Sequence, residues 1–245
     1  MDYARWANRY EAIRAEFGYP FEREEEAERL LAGLLPAESL DGALERISTR
    51  LAEREVVVVG LAPGVGAPPV WTLPKGPRRP AIVAADGATR ICLEAGLTPD
   101  VVVTDLDGPV PSEVAANAAG ALVLIHAHGD NLRALERWVP EFTGELAGSW
   151  AGPPRDGLLD VGGFTDGDRS VYLAEHVGAA RILLWGFDFR RVDPAGAGPA
   201  KLRKLAWAER LIRELAEQAD CPVERWDPDG RRTPYGEAET GPSTQ

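Results

Sequence analysis

From residue 55 onward the chain repeats one pattern: a short run of β-branched or small apolar residues, a turn bearing glycine or aspartate, then a helical segment. Strands that alternate with helices in this way predict an α/β fold with a mostly parallel sheet, because parallel neighbours need a long crossover between them. The predicted strands are Val56 to Gly60, Ala81 to Asp86, Val101 to Asp105, Ala121 to His126, Glu145 to Trp150, Arg181 to Phe187 and Pro222 to Trp226. Several are continuously apolar, as befits strands covered on both faces. Ala200 to Ala219 predicts a long amphipathic helix with Leu202, Leu205, Leu211, Ile212 and Leu215 on one side.

The preceding stretch reads as a helical N-terminal segment, residues 1–54. Tyr3, Trp6, Tyr10, Ile13 and Phe17 recur at spacings of three and four, which places them on one helical face. A second helix follows the Tyr19-Pro20 break and carries the acidic run Glu22 to Glu28, and a third spans Ser39 to Arg54. The aromatic stripe is expected to pack on the main core; a contact between two copies, making a homo-oligomer, is the alternative. Residues 55–226 form the α/β domain that carries the chemistry, and residues 227–245, rich in Pro, Gly and Thr, read as a polar C-terminal loop and tail.

Composition narrows the partners. A compact fold of 245 residues buries roughly 70–75% of its unfolded surface, so it needs no covalent staple. Cys92 and Cys221 stand alone without CxxC spacing, as expected of free thiols in a reducing compartment. No apolar run approaches the ~18 residues of a membrane span, and the N-terminus carries mixed charge instead of a signal-peptide apolar segment. A soluble, cytoplasmic protein is expected. A net charge of −12, with only three lysines among 27 basic residues, argues against a nucleic-acid partner, since phosphate backbones need clustered cations.

The carboxyl ends of the predicted strands concentrate acids: Asp86 ends AIVAAD, Asp105 and Asp107 end VVVTDLD, His126, His128 and Asp130 end LVLIHAHGD, and Asp188 ends ILLWGFD. In an open parallel sheet those ends line one edge, where ligands bind. Carboxylates packed together repel, so the cluster implies a cation, and hard oxygen ligands suit magnesium shared with phosphates. Asp105 and Asp107 are the sharpest pair, the i, i+2 spacing turning both to one side; aspartates capping local amides are the plainer reading. His126 and His128 also read as an HxH zinc pair, or as core or phosphate-facing histidines. The loop after the first strand holds Gly64, Gly66, Lys75, Arg78 and Arg79 and follows a strand as phosphate loops do, without a Walker A pattern. In GGFTDGDRS, Asp166 or Asp168 can cap the helix that follows, and Lys201 and Lys204 open the long late helix, where lysines are ordinarily solvated.

AADGAT (84–89), PDVVVTDLDG (99–108), HAHGDN (126–131), GGFTDGDRS (162–170) and GFDF (186–189) occur in that order. As a set they resemble the archaeal 6-hydroxymethyl-7,8-dihydropterin diphosphokinases, themselves similar to the catalytic domain of thiamine diphosphokinases. That resemblance spans residues 56–215, although GLAPGVGAPP (60–69) stands where the family usually has a GxGPSL-like turn. It implies transfer of diphosphate from ATP to a pterin hydroxymethyl with Mg²⁺, on an α/β nucleotide-binding sheet. It further implies Asp105, Asp107 and Asp130 as catalytic, metal-holding residues with Asp86 as ligand or neighbour. The nucleotide is then expected on Gly64, Gly66, Lys75, Asp86, Gly87, His126, His128 and Asn131, and the pterin alcohol on Phe164, Asp166, Asp168 or Asp188. A thiamine-type diphosphokinase, a DxDG-type phosphatase with Asp105 as nucleophile, and a non-catalytic nucleotide- or metal-binding module are the alternatives.

Overall fold

The computed structural model describes residues 3–69, 79–191 and 198–236. Its centre is a nine-stranded sheet in the order β6-β5-β4-β3-β2-β1-β7-β8-β9. The strands are β1 (Glu55–Val59), β2 (Ala81–Ala85), β3 (Val101–Thr104), β4 (Leu122–His126), β5 (Leu146–Ser149), β6 (Leu158–Leu159), β7 (Arg181–Trp185), β8 (Val223–Trp226) and β9 (Arg232–Pro234). All neighbours run parallel except β8 and β9. The chain winds outward from β1 to β6, then returns to β7 on the other side of β1, so the strand order reverses between β1 and β7. The register aligns Val56 with both Ala81 and Ile182.

Side-chain alternation sorts the two faces. Val56, Val58, Val83, Val101 and Val103 join one buried cluster with α1 (Tyr3–Phe17), α4 (Ala43–Leu51), α8 (Asp166–His176) and α9 (Pro199–Ala216). Val57, Val59, Ile82 and Ala84 point the other way, onto α5 (Ala88–Glu94). On that same side Val102, Val123 and Ile125 meet α6 (Val110–Ala118) and α7 (Leu132–Trp138), with Ala27 and Leu31 of α2 (Phe21–Leu34) closing the end of the sheet. The N-terminal stripe packs inward: Trp6, Tyr10 and Ile13 are buried, and the Trp6 indole N–H donates to the Ala151 carbonyl at 3.0 Å.

Several boundaries differ from expectation. The predicted third helix is two, α3 (Ala37–Leu40) and α4, because Gly42 adopts φ +62° and breaks the run. Leu202 is 44% exposed and stands off the buried face of α9, while Leu211 and Ile212 are buried. Residues after Trp226 are not wholly loop: β9 pairs antiparallel with β8, setting Arg225 opposite Thr233. β6 was also unforeseen, being two residues long on the outer edge. Both cysteines are free thiols. Among the described residues, no helix is long and apolar enough to cross a membrane.

Candidate active site

Three carboxylates meet at the carboxyl edge beyond β2 and β3. β3 ends at Thr104, so Asp105 and Asp107 lie in the turn after it. The pleat therefore does not pair them. Leu106 takes φ +65° between them, its amide held by Thr104 Oγ1 at 2.9 Å, and the Asp107 amide donates to Asp105 Oδ1 at 3.2 Å. Asp86, directly after β2, also has positive φ, 43°. Left-handed conformations at non-glycine residues cost on the order of 1–3 kcal/mol each and gather where function holds them. Gly108 is required by Asp86, because a Cβ there would overlap its carboxylate.

The electrostatics follow from this crowding. Burial pushes the Asp107 carboxyl up to about 6, with the charges of Asp105 and Asp86 adding to it. Burial also raises Asp86. It pushes on Asp105 too, but the hydrogen bonds from His128 and the Asp107 amide outweigh it and leave Asp105 below the usual carboxylate range. Behind Asp86 stands Glu113 of α6, fully buried, and burial with the neighbouring Asp86 charge drives its carboxyl up to about 9. Asp86 Oδ1 and both Glu113 oxygens are buried together, with the Thr104 side chain beside Glu113. A proton on Glu113 is therefore what lets these two acids sit together.

The β4 turn supports Asp105 from the other side. His128 Nδ1 accepts from the Asp130 amide at 3.3 Å, which leaves Nε2 protonated and donating to Asp105 Oδ2 at 3.2 Å. Asn131 works as a brace: its Nδ2 donates to the carbonyls of Asp105 (2.8 Å) and His126 (2.7 Å), and its Oδ1 accepts from the His128 amide. His126 is buried against Ser149 Oγ at 3.1 Å, and burial holds it neutral, well below the ordinary histidine value. Glu24 reaches in from α2 to accept the Gly129 amide at 3.1 Å. Burial raises its carboxyl.

Asp105, His126 and His128 form one end of a cleft that opens to solvent. Its other walls are Trp6, Tyr10, Ile13, Tyr19 and Glu24 from the N-terminal helices, Phe164 and Asp166 at the start of α8, buried Arg169, and Lys204 of α9. Phe164 and Tyr19 lie with ring centroids 6.5 Å apart. The α8 start is set by a capping box in which Asp168 accepts from the amides of Phe164 (2.6 Å) and Thr165 (2.8 Å) and from the Thr165 hydroxyl. Gly163, at φ +85°, lets this turn lie against Arg169, where a Cβ would clash with backbone. Arg169 donates to the carbonyls of Gly162 and Phe164. Burial and the charges of Asp105 and Asp86 push the Asp166 carboxyl well above its ordinary value.

Of the residues expected at the site, the structure brings together Asp86, Asp105, Asp107, His126, His128, Phe164 and Asp166. Gly64 and Gly66 lie at the same sheet edge with open space beside them, and Gly87 starts α5 tightly against Leu61 and Pro109. The four acid-bearing strand ends do not all share one crevice, however. Asp130 is exposed, and its charge acts on Glu24. Asp188 Oδ1 accepts the amides of Arg190 and Arg191 in its own turn. Asp168 is consumed by the cap and Asn131 by the brace, which leaves neither facing a ligand. Arg79 precedes β2 and so lies at the amino edge, its guanidinium bound to Asp100 at 2.8 and 2.9 Å, at the opposite end of the strand from Asp86. Lys75 and Arg78 fall outside the described residues. Sequence reasoning missed Glu113, Glu24, Thr104 and Arg169; Thr104 and Arg169 carried a signal, as parts of the VVVTDLDG and DGDRS runs.

Among the described residues no three His, Cys, Asp or Glu side chains alone complete a metal site. The donor set nevertheless fits magnesium, which uses one or two carboxylates and fills the rest of its octahedron with water and phosphate oxygens. The mutual repulsion of the crowded Asp86, Asp105 and Asp107 is what such a cation would relieve.

A parallel sheet wound with helices, with acids crowded at its carboxyl edge beside an aromatic cleft, is the build of an α/β protein that binds small molecules. A family model described as 6-hydroxymethylpterin diphosphokinase MptE-like matches residues 38–193. The chain belongs to this family of enzymes. Two relatives are named 6-hydroxymethyl-7,8-dihydropterin pyrophosphokinase. The one from Methanothermobacter thermautotrophicus is 35% identical over 237 residues, 92% of this chain and 100% of that protein. The one from Pyrococcus furiosus is 37% identical over 234 residues, 91% of this chain and 98% of that protein. Among solved structures, a thiamine pyrophosphokinase from Bacillus subtilis aligns with a TM-score of 0.38 and 13% identity, covering 70% of this chain and 60% of that one.

Proposed function

We propose that this chain transfers the β,γ-diphosphate of ATP to the hydroxymethyl group of 6-hydroxymethyl-7,8-dihydropterin, releasing AMP. The observation that carries the reading is the continuity of the aromatic cleft with the acid cluster: Asp105 lines the cleft and belongs to the cluster at once. A flat acceptor lying against the Tyr19 and Phe164 rings would present its alcohol to that end. Asp166 is assigned to the pyrimidinone edge, whose adjacent N–H donors match a carboxylate and return a buried acid to its charged form. The names of the two relatives support this acceptor.

Asp105 and Asp107 are assigned to hold Mg²⁺ on the phosphate oxygens, with Asp86 beside them. When bound, the cation supplies charge neutralisation and a template for the polyphosphate. His128 keeps Asp105 ionised and oriented, and Glu113 holds Asp86 by a shared proton. The first-strand loop with Gly64 and Gly66 is assigned to the nucleotide. The acceptor oxygen forms its bond to the β-phosphorus as the bond to the α–β bridging oxygen breaks, AMP leaves with the electron pair, and the hydroxyl proton is released. Incubated with the pterin alcohol, ATP and Mg²⁺, the protein should form AMP and pterin diphosphate in equal amounts. ADP as product, or full activity in excess chelator, would overturn the mechanism; AMP formed with thiamine but not with the pterin would overturn the substrate.

A further inference from the structure

Only three of the chain's 27 basic residues are lysine, and two of them, Lys201 and Lys204, stand at the start of α9. Positions i and i+3 share a helix face, and this face turns to the site. Lys204 lines the cleft, and Lys201 lies near enough to Asp86 and Asp107 for its charge to favour their ionised forms. The Lys204 ammonium sits 6.0 Å from the Tyr19 ring centroid and 5.8 Å from that of Phe164. No carboxylate pairs with it among the described residues. Arg169, the other cation of the cleft, is buried, with Nη1 and Nη2 on the carbonyls of Gly162 and Phe164.

Lys204 thus holds its ammonium over the two rings that a flat acceptor would use. We propose that Lys204 is a catalytic cation of the transfer: the acceptor takes the Tyr19 and Phe164 faces, and the displaced ammonium turns onto the oxygens of the diphosphate in flight. This rests on the function proposed above. Lys204 makes and breaks no covalent bond and keeps its proton throughout. The transferring phosphoryl group spreads charge over its equatorial oxygens, where a positioned cation acts. A cation released only when the acceptor arrives also favours transfer over hydrolysis, because without acceptor the ammonium remains on the rings.

The test compares wild type with Lys204→Met, which keeps the apolar stem, and Lys204→Arg, which keeps the charge. Turnover, acceptor KM and acceptor Kd by pterin fluorescence are read together, with the melting temperature as control for folding. The Met variant should lose about a hundredfold in kcat while its acceptor Kd stays equal or tightens, since the ring faces are vacated. The Arg variant should recover part of kcat. Unchanged kcat in the Met variant, or weakened acceptor binding with kcat intact, would overturn the proposal and make Lys204 a pocket wall. Should Met unfold the protein, the Arg variant and Lys204→Gln carry the same comparison. A wild-type protein that is inactive with the pterin fails the function reading itself, whereas an active wild type with an equally fast Met variant fails only this inference.

Discussion

At the scale of single residues, the site stores unfavourable charge that its role requires. Burial and two neighbouring acids lift Asp107 to about 6, so removing its charge relieves repulsion. Asp107→Asn should melt no lower than wild type yet lose at least about 10²–10³ in turnover, the scale of a lost electrostatic group at a reacting centre. Asp105→Asn should lose as much while also losing the His128 pair; turnover near wild type in either would remove both from the chemistry. Glu113 makes a separate forecast. Its carboxyl titrates near 9 in the folded chain and at an ordinary carboxylate value, about 4.3, when unfolded. Between those values the folded state binds the extra proton, so wild-type stability falls as pH rises. Glu113→Gln has no such proton to lose, so in metal-free protein its melting temperature should gain on wild type steadily from about pH 5 to pH 9. A constant gap would mean that Glu113 is ionised at neutral pH. Asp105 and Asp107 were legible because a strand-end DLDG run has few uses. Glu113 and Glu24 were not, because an acid within a helical stretch looks solvated until tertiary packing covers it.

The elements tell the same story in longer pieces. The aromatic stripe of α1 was legible as one buried face, but its second task was not: Trp6, Tyr10 and Ile13 also wall the cleft. Periodicity reports which face is covered and says nothing of what the covering encloses. The long strands could be read from their apolar runs, whereas β6 and β9 could not, since two or three residues at a sheet edge carry no alternation. The break at Gly42 was hidden for a related reason: a single glycine in a helical pattern is commonly tolerated. Trp6 offers the test at this scale. It is 1% exposed, stacks edge-on against Tyr172 with centroids 6.1 Å apart, and donates to Ala151. Trp6→Ala should cost about 3–5 kcal/mol by denaturant unfolding, and acceptor affinity should fall with it, because the cavity it leaves adjoins the cleft. A destabilised variant with unaltered acceptor affinity would confine Trp6 to packing.

Across the whole molecule the two substrates are assigned to different parts of the architecture. The reversal of strand order falls between β1 and β7, where the Ala62 amide donates to the Gly186 carbonyl at 2.8 Å and the first-strand loop begins. The acids stand one and two strands further along, after β2 and β3, and the aromatic cleft lies beyond them, between the N-terminal helices and the starts of α8 and α9. Strand identities were legible, but this order was not: each crossover satisfies the same alternating pattern whichever way it winds, so the sequence could not say which strand ends would be neighbours. That is why Asp130 and Asp188, equally placed at strand ends, were expected in a crevice they do not share. The arrangement makes a separable prediction. Acceptor recognition is assigned to Tyr19, Phe164 and Asp166, none of which is assigned to the metal, so pterin binding measured by fluorescence should persist in EDTA with its affinity changed less than about threefold. Turnover under the same chelation should vanish, because the polyphosphate cannot approach Asp105 and Asp107 without its cation. Restoring Mg²⁺ should return activity without altering the fluorescence titration. If chelation abolishes acceptor binding as well, the acceptor's affinity depends on the bound cation, and the assignment of its recognition to Tyr19, Phe164 and Asp166 alone is wrong.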